Sequence, residues 1–199
     1  MQCALEPLFQ SLLRSDSAPL LLVRLWENHA HYICLKVVIM YTRKVSSSLG
    51  QITLASDGDA LCGLWFDGQS YFPDTSSWIE CNGCSSAKVF DAVERYLGDY
   101  FAGRVPEISF KLLLRGTPFQ ERVWTELLSI SCGDTVTYGD IARKLSGGVS
   151  ASRAIGTAVG RNPVSIIVPC HRVIGSSGQL TGYAGGLDRK IALLKIERE

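Results

Sequence analysis

The segment around Cys170 constrains the fold more than any other stretch of the sequence. The run 164–167 (VSII) is rich in β-branched residues, which predicts a buried strand. It leads into 168–173 (VPCHRV), and glycine-rich segments follow at 175–178 and 182–186. The fold must therefore hold Cys170 at the end of a rigid element, with a glycine-rich loop facing it. That arrangement presents a reactive side chain to a substrate.

Cys170 and His171 together could supply a nucleophile and its base. The thiolate is the reactive form of cysteine, and a neighbouring imidazole can take the thiol proton. A Cys-His dipeptide by itself is more often a buried small hydrophobe beside an unrelated histidine. The pair alone therefore does not establish catalysis.

In its setting, the 168–173 hexapeptide resembles the O6-alkylguanine-DNA alkyltransferases. These methylated-DNA–protein-cysteine methyltransferases repair DNA by moving an alkyl group onto their own cysteine. The resemblance rests on the hexapeptide, on 161–163 (RNP) upstream and on 183–186 (YAGG) downstream. It continues with family-like spacing from about residue 117 to residue 197, and more loosely back to residue 40.

Composition is that of a soluble globular protein. The 199 residues are 46% hydrophobic and 20% charged, enough for one large or two small domains. No apolar run reaches membrane-spanning length, and the N-terminus lacks a secretory signal pattern, so no membrane partner is expected. The seven cysteines are odd in number and irregularly spaced, which predicts reduced thiols and a cytoplasmic protein. It would be nucleoid-associated in a bacterium and nuclear in a eukaryote.

The one C-x-x-C motif, Cys81 to Cys84, is interpreted as part of a polar loop, and no metal or other cofactor is expected. Zinc is the less favoured alternative, because a zinc site needs two more ligands. The candidates for those ligands show no ligand spacing: Cys3, His29, His31 and Cys34.

Charge is distributed unevenly along the chain. Residues 141–199 contain nine Lys/Arg and three Asp/Glu, a net charge of +6, so the remainder carries −5 of the overall +1. A basic C-terminal half suits a polyanionic partner. Charge runs are also common on solvated faces, so this observation is only suggestive.

The fold class predicted is α/β (α+β), with a small α/β domain at 40–115 and a mostly helical domain at 116–199. Residues 1–39 are interpreted as an atypical extension, for which an upstream start codon is the proposed origin. In the first domain we expect a hairpin of 49–55 and 60–66, a helix over 85–103 and a strand over 108–114. The resemblance implies that this domain is ribonuclease-H-like. Nothing in it suggests catalysis.

The second domain begins with a strong helix start at 117–120 (TPFQ) and a second one at 137–140 (TYGD). A further helix is predicted over 150–160 after a glycine turn, and the pair resembles a winged-helix-like helix-turn-helix. A closing helix is predicted over 187–197, with Leu187, Ile191 and Leu194 on one face.

The helix over 150–160 carries small residues that would allow close approach to DNA. We expect Arg153 to contact DNA together with Ala151, Ser152, Ala154 and Thr157, and the resemblance places this recognition helix in the minor groove. The alternative is close packing against the protein's own core, which Ile155 and Val159 are expected to face.

The resemblance also implies roles for individual residues. Cys170 is the nucleophile, His171 its base, directly or through a water, and Glu197 orients the histidine. Tyr138 helps turn out the nucleotide and can donate to guanine N3, and Asn162 ties the recognition helix to the active-site strand. Arg153 fills the gap left by the flipped base. Four of these residues also have a simpler interpretation. Glu197 could be a solvated residue at the chain terminus and Tyr138 a core residue. Asn162 could be part of a loop turn, and Arg153 could contact a phosphate.

The base pocket implied by the resemblance comprises Tyr138, Val173, Tyr183, Ala184 and Gly185. Many relatives have serine where this chain has Ala184. If the contact to guanine O6 comes from the backbone N–H, the substitution changes nothing; if a hydroxyl is needed, substrate range or rate would differ.

The predicted activity is stoichiometric, irreversible transfer of an alkyl group from O6-alkylguanine, and from O4-alkylthymine, in double-stranded DNA to Cys170 after base flipping. The protein would act as a monomer without a cofactor. The main alternative is a non-catalytic lesion-binding protein, which would lack the reactive cysteine. A Cys-His hydrolase and a plain DNA-binding regulator are less favoured.

Overall fold

The computed structural model describes residues 20–24, 32–36, 39–146 and 151–198. Strands β1 (Leu20–Arg24) and β2 (Tyr32–Lys36) form an antiparallel pair. The remainder of the predicted extension 1–39, and the glycines of the turn predicted before the recognition helix, lie outside the described residues.

A four-stranded sheet forms the first half of the chain. Strands β3 (Tyr41–Ser47), β4 (Gly50–Ser56) and β5 (Leu61–Phe66) run antiparallel, and the short β6 (Ile79–Glu80) pairs parallel with β3, giving the order β5-β4-β3-β6. The predicted hairpin is therefore confirmed.

Helix α1 (Ala87–Phe101) covers this sheet, and its prediction is confirmed with slightly shorter ends. Its buried face comprises Phe90, Val93, Leu97 and Tyr100. The last of these, Tyr100, lies at the end of the helix that approaches the second half of the chain.

The second half of the chain, as far as the structure describes it, contains four helices, two short strands and a 3₁₀ turn. Helix α2 (Pro118–Leu127) starts at Thr117 with the predicted capping box to Gln120. Strand β7 (Val136–Thr137) runs into α3 (Tyr138–Ser146), and α4 (Ser152–Gly160) packs on both helices. The chain then passes through a 3₁₀ turn (Cys170–Arg172) into β8 (Val173–Ile174), which pairs parallel with β7, and ends in α5 (Leu187–Ile196). The start predicted at 137–140 is confirmed, since Thr137 and Asp140 cap each other's backbone N–H groups.

One hydrophobic core spans both halves. The edge of β5 supports the segment that leads to Cys170, because Leu64 N donates to Pro163 O and Ser165 N donates to Leu64 O. The indole of Trp124 donates to Ala158 O at 2.8 Å and locks α2 to α4. The active-site segment is therefore fixed from both sides.

Two of the predicted strands do not form, and only the first of them, 164–167, is buried as predicted, since Ile108 in the second is 41% exposed. The run 164–167 is buried yet forms turns, with a single bridge from Val164 to Leu64 and with Ile166 at φ 70°. A left-handed β-branched residue costs about 1–3 kcal/mol, and the surrounding core must enforce it. Residues 108–114 likewise make only one bridge, from Leu112 to Leu61, because they run beside a single strand edge.

Two further expectations are corrected. Cys81 and Cys84 form a disulfide, so reduced thiols were the wrong prediction for this pair, and neither sulfur can bind zinc in this form. On α5, Leu194 is buried as predicted, but Leu187 and Ile191 are about half exposed, because the inward face consists of Lys190, Leu193 and Leu194. Across the part of the chain that the structure describes, no helix has the length and apolar character needed to cross a membrane.

Candidate active site

Cys170 sits at the start of the 3₁₀ turn, only 4% exposed. The left-handed Ile166 reverses the backbone, and tight hydrogen bonds follow, from Ile167 N to Ser165 O and from Cys170 N to Val168 O, each 2.8 Å. The thiol is therefore held by a rigid stack of turns and not by a strand end.

Asn162 organises this stack from the end of α4. Its side-chain Nδ2 donates to Val168 O at 2.8 Å and to Val164 O at 3.2 Å, and it also lies 3.1 Å from Cys170 Sγ. Its Oδ1 accepts from Val164 N at 3.0 Å. The amide thus ties the helix to the active-site segment and offers a hydrogen bond that favours the thiolate.

The thiol and the imidazole are both neutral at rest. Burial raises the pKa of Cys170 to about 11, although the Asn162 hydrogen bond and the Lys190 charge oppose this shift. Burial also lowers the pKa of His171, against the opposing effect of Glu197. A neutral histidine can accept a proton from a neutral thiol, so the protonation states suit a base and a nucleophile.

Glu197, at the end of α5, fixes the histidine. Its Oε1 lies 2.6 Å from His171 Nε2, and Arg172 binds both of its oxygens, with Nε 2.8 Å from Oε2 and Nη2 2.9 Å from Oε1. Although burial alone would raise it, the pKa of Glu197 is held well below its usual range by hydrogen bonds from His171 and Arg172. The ionised carboxylate places the histidine proton on Nε2, and the buried Nδ1 has no hydrogen-bond partner among the described residues.

Lys190 is fully buried behind the site. Its Nζ donates to Val173 O at 2.6 Å and to Thr181 O at 2.9 Å, and burial lowers its pKa. It therefore ties β8 to the loop 181–186, and its charge favours a thiolate at Cys170.

The loop 181–186 carries three of the predicted pocket residues. Tyr138, the first residue of α3, directs its OH to Thr181 O and Gly182 O at 3.3 and 3.4 Å. Burial raises the pKa of both Tyr138 and Tyr183, and negative charge at Cys170 would raise both further. The Tyr183 hydroxyl is buried without a hydrogen-bond partner in the described part of the chain.

The remaining pocket residues are braced by the first half of the chain. Ala184 O accepts from Ser70 N at 2.9 Å. Arg189 donates to Gly185 O at 3.1 Å and to Leu49 O at 3.0 Å, with its guanidinium over the Phe66 ring. The loop is thus clamped to the sheet.

A cleft of about 830 Å³ lies outside the thiol, between α3, α4 and the loop 175–179. Tyr138, Ser152 and Arg153 line it, and Cys170 does not. On α4, Arg153, Ala154 and Thr157 are exposed, Ala151 and Ser152 are half-buried, and Ile155 and Val159 are buried as expected. Of the residues predicted to contact DNA, Ser152 and Arg153 therefore line the cleft, whereas Ala151, Ala154 and Thr157 do not.

Two family models together match most of the chain. Residues 40–114 match the 6-O-methylguanine DNA methyltransferase, ribonuclease-like domain, and residues 118–199 match the 6-O-methylguanine DNA methyltransferase, DNA binding domain. The chain belongs to this family.

Similar proteins carry the same name across bacteria and archaea. The methylated-DNA–protein-cysteine methyltransferase of Mycobacterium tuberculosis (strain H37Rv) is 47% identical over 160 residues, covering 80% of this chain and 93% of the relative. That of Methanosarcina acetivorans is 45% identical over 159 residues, covering 79% and 98%. Among solved structures, Mycobacterium tuberculosis OGT in complex with DNA superposes with a TM-score of 0.71 at 45% identity, covering 79% of this chain and 92% of that one. The family's mixed α/β architecture, with a sheet followed by a helical region, is therefore shared.

Three residues of the site escaped the sequence analysis. Tyr100 and Arg172 bind Glu197, and Lys190 holds the pocket backbone. Arg172 sits in the quoted hexapeptide and Lys190 in a predicted helix, but a lysine there resembles any solvated cation. No group of three or more His, Cys, Asp or Glu side chains suited to a metal occurs in the described ranges.

Proposed function

We propose that this protein repairs DNA by transferring the alkyl group of O6-alkylguanine to Cys170, once per molecule. O4-alkylthymine, which presents a similar alkylated oxygen, is proposed as a second substrate. Family membership supports the reaction class, and the names of the relatives support methylated DNA as substrate. One observation supports the assignment to Cys170: the adjacent His171 has its Nε2 bound by the Glu197 carboxylate. Its Nδ1 has no hydrogen-bond partner among the described residues and is therefore available to act as the base.

In the proposed reaction, His171 takes the Cys170 proton, directly or through a water, and the sulfur attacks the alkyl carbon. The S–C bond forms as the C–O6 bond breaks, and guanine leaves as an anion that is then protonated. Asn162 and Lys190 stabilise the thiolate that forms in between. The product is a thioether, so the protein is consumed.

The DNA is proposed to lie in the cleft beside α4. Arg153 would fill the space left by the flipped base, with Ala151, Ser152, Ala154 and Thr157 against the minor groove. Tyr138 would donate to guanine N3 after giving up its long contacts to the loop 181–186. The pocket for the base would be formed by Val173, Tyr183, Ala184 and Gly185. The Val173 carbonyl accepts one hydrogen bond from Lys190, and its second lone pair would accept one from the base.

The domain division stays a proposal: a ribonuclease-H-like domain at 40–115, a DNA-binding and alkyl-acceptor domain at 116–199, and an extension at 1–39. The family-model matches support the first two. A cytoplasmic or nuclear monomer that needs no cofactor is proposed on the same basis.

The test is the intact mass of the protein after incubation with excess duplex DNA containing O6-methylguanine. We expect a gain of one methyl group per molecule, mapped to the peptide of Cys170. Cys170→Ala should abolish the gain, whereas Cys62→Ser, which changes a free thiol on β5, should not. Binding without a mass gain would favour the lesion-binding alternative, and transfer by Cys170→Ala would refute the nucleophile.

A further inference from the structure

Tyr100 reaches the site from the other half of the chain. It is the last buried residue of α1, and its OH donates to Glu197 Oε1 at 2.8 Å. The hydroxyl oxygen of Tyr100 also lies 3.5 Å from His171 Nε2. Tyr100 is only 3% exposed, and burial raises its pKa, so it remains a neutral donor.

Glu197 is surrounded by donors. Its Oε1 meets His171 Nε2, Tyr100 OH and Arg172 Nη2, while its Oε2 meets Arg172 Nε and Gly133 N. Five donors fill the lone pairs of the carboxylate, which fixes its plane. Because His171 is aligned by Oε1, whatever fixes that oxygen also fixes the direction of Nδ1.

Tyr100 shares its acceptor oxygen with the histidine. A donor on Oε1 draws charge away from the His171 contact, so it weakens the carboxylate's preference for a protonated imidazole. The other titratable groups that interact with this pair are Arg172 and Lys190, whose charges act on His171, and the neutral side chains of Tyr96 and Cys132, which lie within the field of Glu197. None of them adds a hydrogen bond to Oε1 except Arg172, which is already bound to both oxygens.

We propose that Tyr100 is a positioning residue of the transfer reaction, through which the sheet half of the chain aligns His171 by holding Glu197 Oε1. The inference rests on the proposed function. The first half of the molecule thus contributes to the reaction indirectly, through one hydroxyl at the end of α1.

The test is Tyr100→Phe, which removes the hydroxyl and keeps the ring. The rate of methyl transfer to Cys170 from duplex DNA should fall about tenfold, the effect of losing a hydrogen bond to a charged group. The acid limb of its pH profile should move to higher pH, because Glu197 then favours the protonated histidine more strongly. Tyr96→Phe is the matched control: it lies one turn earlier on α1, packs on Phe110 and is not among the five donors.

A double-mutant cycle separates positioning from structure. In a Glu197→Gln background, Tyr100→Phe should lose most of its effect on the rate, since both changes act through one carboxylate. An unchanged rate and pH profile would overturn the proposal, as would a protein that unfolds at the assay temperature, which would assign the hydroxyl a structural role. If the wild type itself transfers no methyl group, the proposed function fails, a result that no Tyr100 variant can produce.

Discussion

Replacing Asn162 with alanine removes four contacts at once, and their cost can be worked out from the partners left behind. Val164 N loses the Oδ1 acceptor and is buried, which costs about 1–3 kcal/mol. The carbonyls of Val164 and Val168 each keep one backbone donor, Val168 N and Cys170 N, so losing the second costs about 0.5 kcal/mol apiece. We expect Asn162→Ala to lower the free energy of unfolding by about 2–4 kcal/mol.

The same substitution should also slow alkylation of Cys170. The Asn162 amide lowers the thiol's pKa against the effect of burial, so its loss leaves less thiolate at neutral pH. Urea unfolding followed by fluorescence gives the stability, and mass spectrometry of Cys170 gives the rate. Asn82→Ala, at an exposed loop position, is the control and should stay within about 0.5 kcal/mol of wild type. A loss below 1 kcal/mol for Asn162→Ala would refute the accounting.

Three other predictions concern different parts of the site. Arg153→Ala should slow transfer from duplex DNA about tenfold and leave transfer from the free base O6-methylguanine unchanged, because Arg153 lines the outer cleft. Equal losses of rate on both substrates would contradict this prediction. Arg189→Met should lower stability in urea by about 1–2 kcal/mol, since hydrogen bonds to Gly185 O and Leu49 O are lost; an unchanged midpoint would contradict the clamp. The free energy of unfolding should fall with acid in two stages, because the pKa values of His171 and Glu197 are both lower in the folded than in the unfolded protein. The contribution of His171 is complete above about pH 6.5 and is lost as the pH falls below that value. The contribution of Glu197 is complete above about pH 4.3 and is lost below it. A flat stability profile from pH 7 to pH 3 would exclude this coupling.

Local chemistry made the helices predictable. Each predicted helix start depends on two residues three positions apart in sequence, Thr117 with Gln120 and Thr137 with Asp140. Both capping interactions form as predicted. The path of 164–167 was not predictable in the same way. Its β-branched residues predict burial correctly, but the left-handed turn at Ile166 depends on contacts with β5, which lies a hundred residues away.

The residues of the candidate site also differ in how far the sequence predicts them. Cys170 and His171 are adjacent in sequence, so their pairing was visible, and a resemblance was needed to include Glu197. Tyr100 could not be found by either route, because its partner lies 97 residues away and its spacing on α1 is that of an ordinary core residue. The disulfide between Cys81 and Cys84 was missed because the number of cysteines indicates whether the cellular compartment is oxidising, and does not indicate whether two cysteines in one loop lie close enough to bond.

The resting state of the thiol has a consequence for the proposed reaction, in which each molecule acts once. A thiolate exposed at neutral pH would react with any electrophile and consume the molecule without repair. Here burial keeps Cys170 protonated, while the Asn162 amide and the Lys190 ammonium, which both favour the thiolate, are already in place around it. In the proposed reaction, the thiolate would form only when an alkylated base occupies the pocket and the thiol proton passes to His171, whose Nε2 is bound by Glu197. Reactivity is therefore conditional on substrate because the same burial that raises the pKa of the thiol also lowers that of its base.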